Sequence, residues 1–259
     1  MSDYRAALYA EILKARRARV PALTFTVMAL PAGLAALFMF VLADPERARR
    51  FGLLGQKAEL SGITADWSGL FAFLAQIVAV GDLLLLAFII TWVFGQEHTA
   101  GTHRYLLVLP VPRAATVLAK FTLTTLWGIG ANLWLVILVL SAGWALDLPG
   151  GDAGVLADGL GGVTAAAALM LLVTTPAAFL TGATRSHLSP LAAAVGVLVL
   201  AQAAAVLGYA HLFPWSIPAA ATGLAPTDLG TAGIAIAAVT GLAGVLGTLS
   251  WWSGRHADL

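Results

Sequence analysis

Hydrophobic residues in this chain gather in long runs from which Asp, Glu, Lys and Arg are missing. Crossing the roughly 30 Å hydrocarbon core of a bilayer takes about 20 apolar residues in a helix. Residues 21–42, 67–96, 121–146, 159–184 and 229–254 form runs of that size, the second interrupted only by Asp82. A further uncharged stretch covers residues 188–227, but Pro214 and Pro218 in Phe213-Pro214-Trp215-Ser216-Ile217-Pro218 break any helix passing through them. It reads as one span followed by a short outer or partly re-entrant segment. The predicted spans are 21–42, 69–94, 119–145, 159–182, 190–212 and 229–251. Because the runs are continuous and lack the period-two alternation of barrel strands, the spans are helices. The predicted fold is an all-α polytopic membrane protein, with residues 1–259 forming one transmembrane domain of six helices.

Residues 21–42 exceed the about 7–15 residues of a signal-peptide core, and no A-x-A site follows Leu42, so this run is expected to be a retained span.

Composition supports this reading. Hydrophobic residues make up 60% and charged residues 10%, against about 45–50% and about 25% in soluble domains. Mean hydropathy is +0.90. A soluble enzyme and a disordered tail are excluded, and a net charge of +1 offers nucleic acid no electrostatic footprint. Cysteine is absent, which removes disulfides, thiolate chemistry and cysteine metal sites.

Basic residues orient the spans. Arg5, Lys14, Arg16, Arg17, Arg19, Arg104, Arg113, Lys120, Arg185 and Arg255 all fall on one side. The remaining four, Arg47, Arg49, Arg50 and Lys57, share one loop with Asp44, Glu46, Glu59 and Asp66. Other loops on that side carry only Asp147, Asp152, Asp158 and Asp228. The positive-inside rule predicts that both termini are cytoplasmic, as in a multi-pass protein of the cell inner membrane.

Residues 3–19 have helical periodicity, with Tyr4, Leu8, Tyr9, Ile12 and Leu13 on one side and Glu11, Lys14 and Arg17 opposite. An interfacial helix whose arginines reach the phosphates of membrane lipid fits this pattern; a basic flank that only fixes topology is the plainer alternative. Residues 95–114, between spans two and three, are too many for a tight turn and too apolar for a free loop. Leu106, Leu107 and Leu109 beside Arg104 and Arg113 suggest a short amphipathic helix stopped by Pro110 and Pro112, a surface for a protein partner.

The series Glu97, Gly101, Thr102, Leu106, Leu107, Pro110, Val111, Pro112, Arg113 and Lys120 resembles the first cytoplasmic loop of ABC-2 type transporter permeases, a family of drug and antimicrobial-peptide exporters. An N-terminal interfacial helix with Glu11 and Lys14, six spans and the Pro214-Trp215-Ser216-Ile217-Pro218 segment before the last span extend the likeness over most of the chain. The resemblance implies that residues 97–110 form a coupling helix seated in a cleft of cytoplasmic ABC ATPase subunits. Coupling residues would be Glu97, Gly101, Thr102, Leu106, Leu107, Pro110 and Arg113. It also implies a second permease chain in a homo- or heterodimer, and an amphipathic or hydrophobic cargo. His98 and His103 depart from the family pattern, so no role carries over to them.

No G-x-x-x-x-G-K-[ST] occurs, so ATP and Mg are expected in the partner subunit, with no cofactor in this chain and no enzymatic activity of its own. Gly159-Leu160-Gly161-Gly162-Val163-Thr164 begins like a dinucleotide fingerprint but opens an apolar span. No H-E-x-x-H or G-x-S-x-G is present. The spacing of His98 and His103 keeps them off a common helix face, so no metal site is expected. Small-residue pairs such as Ala237 with Gly241, or Ala243 with Gly247, suit close helix packing.

Asp82 is the exception inside the spans. A carboxylate at the bilayer centre costs about 2.5–3.5 kcal/mol on insertion scales, and Asp is too short to reach the headgroups. It is therefore expected to face protein or water, with Gln76 or Asn132 as polar partner. Two readings stand: part of a cargo path, or a buried helix-to-helix hydrogen bond. Pro214, Trp215 and Pro218 are expected to form an outer gate, with an exposed loop as the alternative. An ion- or solute-coupled secondary transporter is the competing functional class; it calls for several charged or discontinuous helices at the midplane.

Overall fold

In the computed structural model, which describes residues 2–44, 46, 50, 63–99, 112–222 and 230–254, every regular element is an α-helix. Helix α1 (Ser2–Arg17) precedes α2 (Val20–Val27) and α3 (Ala29–Leu42), which together make span one. Spans two and three are α4 (Trp67–Thr99) and α5 (Arg113–Ala145). Helices α6 (Ala153–Val173) and α7 (Pro176–Thr184) make span four, and α8 (Leu188–Val206) is span five. The short α9 (Ile217–Ala221) precedes span six, α10 (Gly230–Ser253). Six segments among the described residues are long and apolar enough to cross a membrane.

Two spans bend for reasons written in the sequence. Pro31 has no N–H for the carbonyl of Val27, and span one breaks register at Met28. Pro176 likewise frees the carbonyl of Leu172 in span four. Thr175 answers with its own N–H at 3.2 Å and its hydroxyl at 2.9 Å, so the bend leaves no unsatisfied carbonyl in the apolar layer. Gly244 of span six crosses at this bend: a Cβ there would collide with Thr175 Oγ1 and come within 2.6 Å of Pro176 N. Ala237, Gly241 and Gly244 thus form the buried face of α10, and the Ala237–Gly241 pair serves packing within the chain.

Helix ends differ from the predicted ones at four places; span four begins at Ala153, behind the Asp152 cap, rather than at 159. Span two runs on to Thr99, so Gly95, Gln96, Glu97 and His98 belong to a helix rather than to the 95–114 loop. Span three begins at Arg113, behind Pro112, rather than at 119. Span five stops at Val206 instead of 212. There Gly208 takes a φ of +80°, and the N–H groups of Gly208 and Tyr209 bond the carbonyls of Ala205 and Ala204 at 3.2 and 2.8 Å. This pair of bonds is a Schellman stop, which glycine alone adopts without steric cost.

Span two is the most buried of the six and packs against α5, α6, α7 and α8, while span five is the least buried. Its start is capped by Asp66, whose carboxylate accepts from the Gly69 N–H at 2.7 Å and from the hydroxyls of Ser68 and Thr64 at 2.8 Å each.

Candidate functional site

Lys120 lies two turns into span three, and none of it is exposed. An ammonium taken out of water costs several kcal/mol unless it is paired and hydrogen-bonded. Its Nζ donates to Glu97 Oε1 at 2.7 Å, to the Val93 carbonyl at 2.7 Å and to Glu11 Oε2 at 3.3 Å. Lys14 closes the ring, donating to Glu11 Oε1 at 2.7 Å and Glu97 Oε1 at 2.8 Å. The Phe94 ring centroid is 5.8 Å from Lys120 Nζ, within cation–π range. Two carboxylates and two ammoniums make the cluster formally neutral.

The ring ties together α1, the last turns of α4 and the second turn of α5. A hydrogen bond of 2.8 Å between the Tyr4 and Thr122 hydroxyls adds a further link between α1 and α5. Helix α1 is therefore docked on protein. The face expected to be polar is the buried one at Glu11, while Tyr9, expected on the apolar face, is 69% exposed. The cause is Lys120, whose buried charge draws Glu11 inward. Burial works against the charge on Lys14, but the carboxylates of Glu97 and Glu11 outweigh it and hold the ammonium above the ordinary lysine range.

Of the residues expected to couple to a partner, Glu97 is buried in this ring. Arg113 opens α5, and its Nη1 donates to the Trp252 carbonyl at 3.3 Å, linking the start of span three to the end of span six. Gly101, Thr102, Leu106, Leu107 and Pro110 lie outside the described residues, as does His103. Of Glu11 and Lys14, read only as features of the interfacial helix, Lys14 bonds Glu97 directly and Glu11 joins it through the two lysines. Lys120, the hub, entered the sequence reading as a topological charge and as the last residue of the family-like series, with no partner or site role assigned to it. The signal was there: a lysine with apolar residues on either side inside a span needs a buried acid, and Glu97 stands one loop away.

Asp82 is 2% exposed and lies beside Asn132 of span three, with its Oδ2 buried and without a hydrogen-bond partner among the described residues. The Asn132 amide donates to the Gly128 carbonyl at 3.1 Å. Gln76, the other expected partner, is exposed on a different face of α4. In the 213–222 segment Pro218 is buried in α9, while Pro214 and Trp215 are half-buried. The Ser216 hydroxyl donates to the Ala210 carbonyl at 2.8 Å, folding the segment back on the end of span five. No metal-ligating cluster occurs among the described residues.

A comparison with curated proteins and one with solved structures each returned no match. A comparison with family profiles matched residues 7–201 to the ABC-2 family transporter protein. That match takes in most of α1, the ion-pair ring and most of the spans, and the chain belongs to the ABC-2 family of transporter proteins.

Proposed function

We propose that this permease is the membrane-spanning half of an ATP-driven exporter, working with separate cytoplasmic ABC ATPase subunits and a second permease chain. ATP and Mg belong to the ATPases; this chain supplies the path for an amphipathic or hydrophobic cargo. Both termini, α1 and the 100–111 segment face the cytoplasm, and the 213–222 segment closes the outer end. The observation carrying the coupling step is the ring of Glu11, Lys14, Glu97 and Lys120. It sits on both helices flanking residues 100–111, so a push on that segment reaches α1, α4 and α5 together. Arg113 passes the same push to span six through Trp252. Nucleotide-driven closure of the ATPases then favours one arrangement of the helices over another.

Affinity purification of the full chain from its native membrane tests the assembly, with an ABC ATPase expected in the complex. In that complex Arg113→Ala should leave insertion and basal ATP hydrolysis intact and reduce transport per ATP. A chain that transports without any associated ATPase overturns the proposal.

A further inference from the structure

At the end of the bundle opposite the ion-pair ring, the first turns of α4 and α6 part around a cleft of about 300 Å³. That volume lies at the lower end of the range for small-molecule sites. Phe71, Val155 and Val163 give it apolar walls. Gly159 is what seats Phe71, since a Cβ there would run into the ring. Its polar groups come from Ser68, Asp158 and Thr222. The Ser68 hydroxyl proton is committed to Asp66 at 2.8 Å, and the Thr222 proton to the Ala219 carbonyl at 2.8 Å. Both oxygens are left with lone pairs, and the Asp158 carboxylate only accepts. Asp158 is absent from the ion pairs among the described residues. The cleft therefore presents acceptors and negative charge against an apolar wall, and offers no side-chain donor to an anion.

We propose that this cleft binds the ammonium end of an amphiphilic amine, with the N–H groups on Asp158, Ser68 and Thr222 and the hydrocarbon along Phe71, Val155 and Val163. As a cargo contact the proposal rests on the exporter reading; as a binding site it is a property of this chain alone. The ammonium could come from a soluble amine or from a lipid headgroup.

Isothermal titration of the full chain in phosphatidylcholine nanodiscs with 2-phenylethylammonium is the test, with 2-phenylethanol and 3-phenylpropanoate as neutral and anionic counterparts. Saturable binding of the ammonium alone is expected. Asp158→Asn should weaken it by at least about tenfold, the loss of a charge-assisted hydrogen bond. Gly162→Leu should abolish binding, because a side chain there meets only Thr222 Cα at 4.0 Å and grows into the cleft. Asp158→Asn alters a solvent-exposed side chain and keeps the test valid if Gly162→Leu misfolds. Repeating the titration in phosphatidylethanolamine separates the sources: weaker apparent binding there identifies a lipid ammonium, and equal binding a soluble amine, both upholding the ammonium preference. Equal affinity for 2-phenylethanol, or unchanged binding to the Asp158→Asn chain, overturns the site. Since no ATPase enters the titration, this outcome is independent of the assembly test.

Discussion

Lys120 Nζ and Glu97 Oε1 meet at 2.7 Å across spans two and three, both side chains almost wholly out of solvent. Lys14 reaches the same carboxylate oxygen from α1 at 2.8 Å. One acid thus receives two ammoniums from two other helices, and the second acid, Glu11, restores neutrality. The geometry makes α1 and the base of the two longest helices a single unit.

Removing one charge should expose how much that unit matters. Lys120→Met leaves Glu97 and Glu11 with Lys14 alone, and unpairing a buried charge costs about 3–5 kcal/mol. The double variant Glu97→Gln with Lys120→Met keeps Glu11 and Lys14 balanced and should recover much of the loss. Thermal unfolding in nanodiscs across the four proteins of the cycle measures this. A double variant as unstable as the sum of the singles would show that the two residues act independently.

Charge-free runs were enough to place the six spans, because insertion into lipid constrains composition more tightly than any local preference does. Helix ends were less legible. Glu97 and His98 look like loop residues by charge, yet the paired Lys120 lets α4 continue past the apolar run to Thr99. Tyr9 and Glu11 exchanged roles for the same reason: periodicity ranks residues by hydrophobicity and cannot see a cation on a helix over a hundred positions away. Gly208 is a stop signal that the reading passed over when it carried span five to 212, because the run stays uncharged beyond it. For Asp82 the sequence narrowed the partner to Gln76 or Asn132, and only helix facing could separate them.

Asp82 and Asn132 are expected to act as a buried hydrogen-bonded pair. Asp82→Asn keeps a polar group of the same shape and should retain yield, assembly and ATP-driven transport. Asn132→Leu strips Asp82 of its partner and should cost about 1–3 kcal/mol in thermal unfolding. A lipid-soluble carbodiimide, which attacks protonated carboxyls from the hydrocarbon phase, should leave Asp82 unmodified by mass spectrometry, since only 2% of it is exposed. Rapid modification of Asp82 in the folded chain would place it on the lipid face.

Topology can be read by thiol labelling, because the chain holds no native cysteine. Ala153, at the start of α6, and Ser253, at the end of α10, are both exposed. With the termini in the cytoplasm, Ala153→Cys should react with an impermeant maleimide from outside intact cells, and Ser253→Cys only after permeabilisation. The opposite pattern would invert every span and put the ion-pair ring on the outer face.

The cap of span two gives a pH dependence of defined sign. Burial works against the Asp66 carboxylate, but the Gly69 N–H and the hydroxyls of Thr64 and Ser68 outweigh it and hold its pKa below the ordinary 3.8. Since the folded value lies under the unfolded one, the cap contributes in full above the unfolded value. The contribution fades as pH falls through the folded value. At neutral pH, Asp66→Ala should cost the about 0.5–2 kcal/mol of a lost N-cap. Hydrogen exchange at the Gly69 amide, corrected for its intrinsic rate, reads the local effect: protection should be steady from about pH 7 to about pH 5 and fall in more acid solution. Asp66→Asn supplies the control. Asn caps a helix about as well as Asp but does not titrate, so protection should persist while its acid dependence disappears. If the acid loss survives in the Asn variant, the titrating group lies elsewhere.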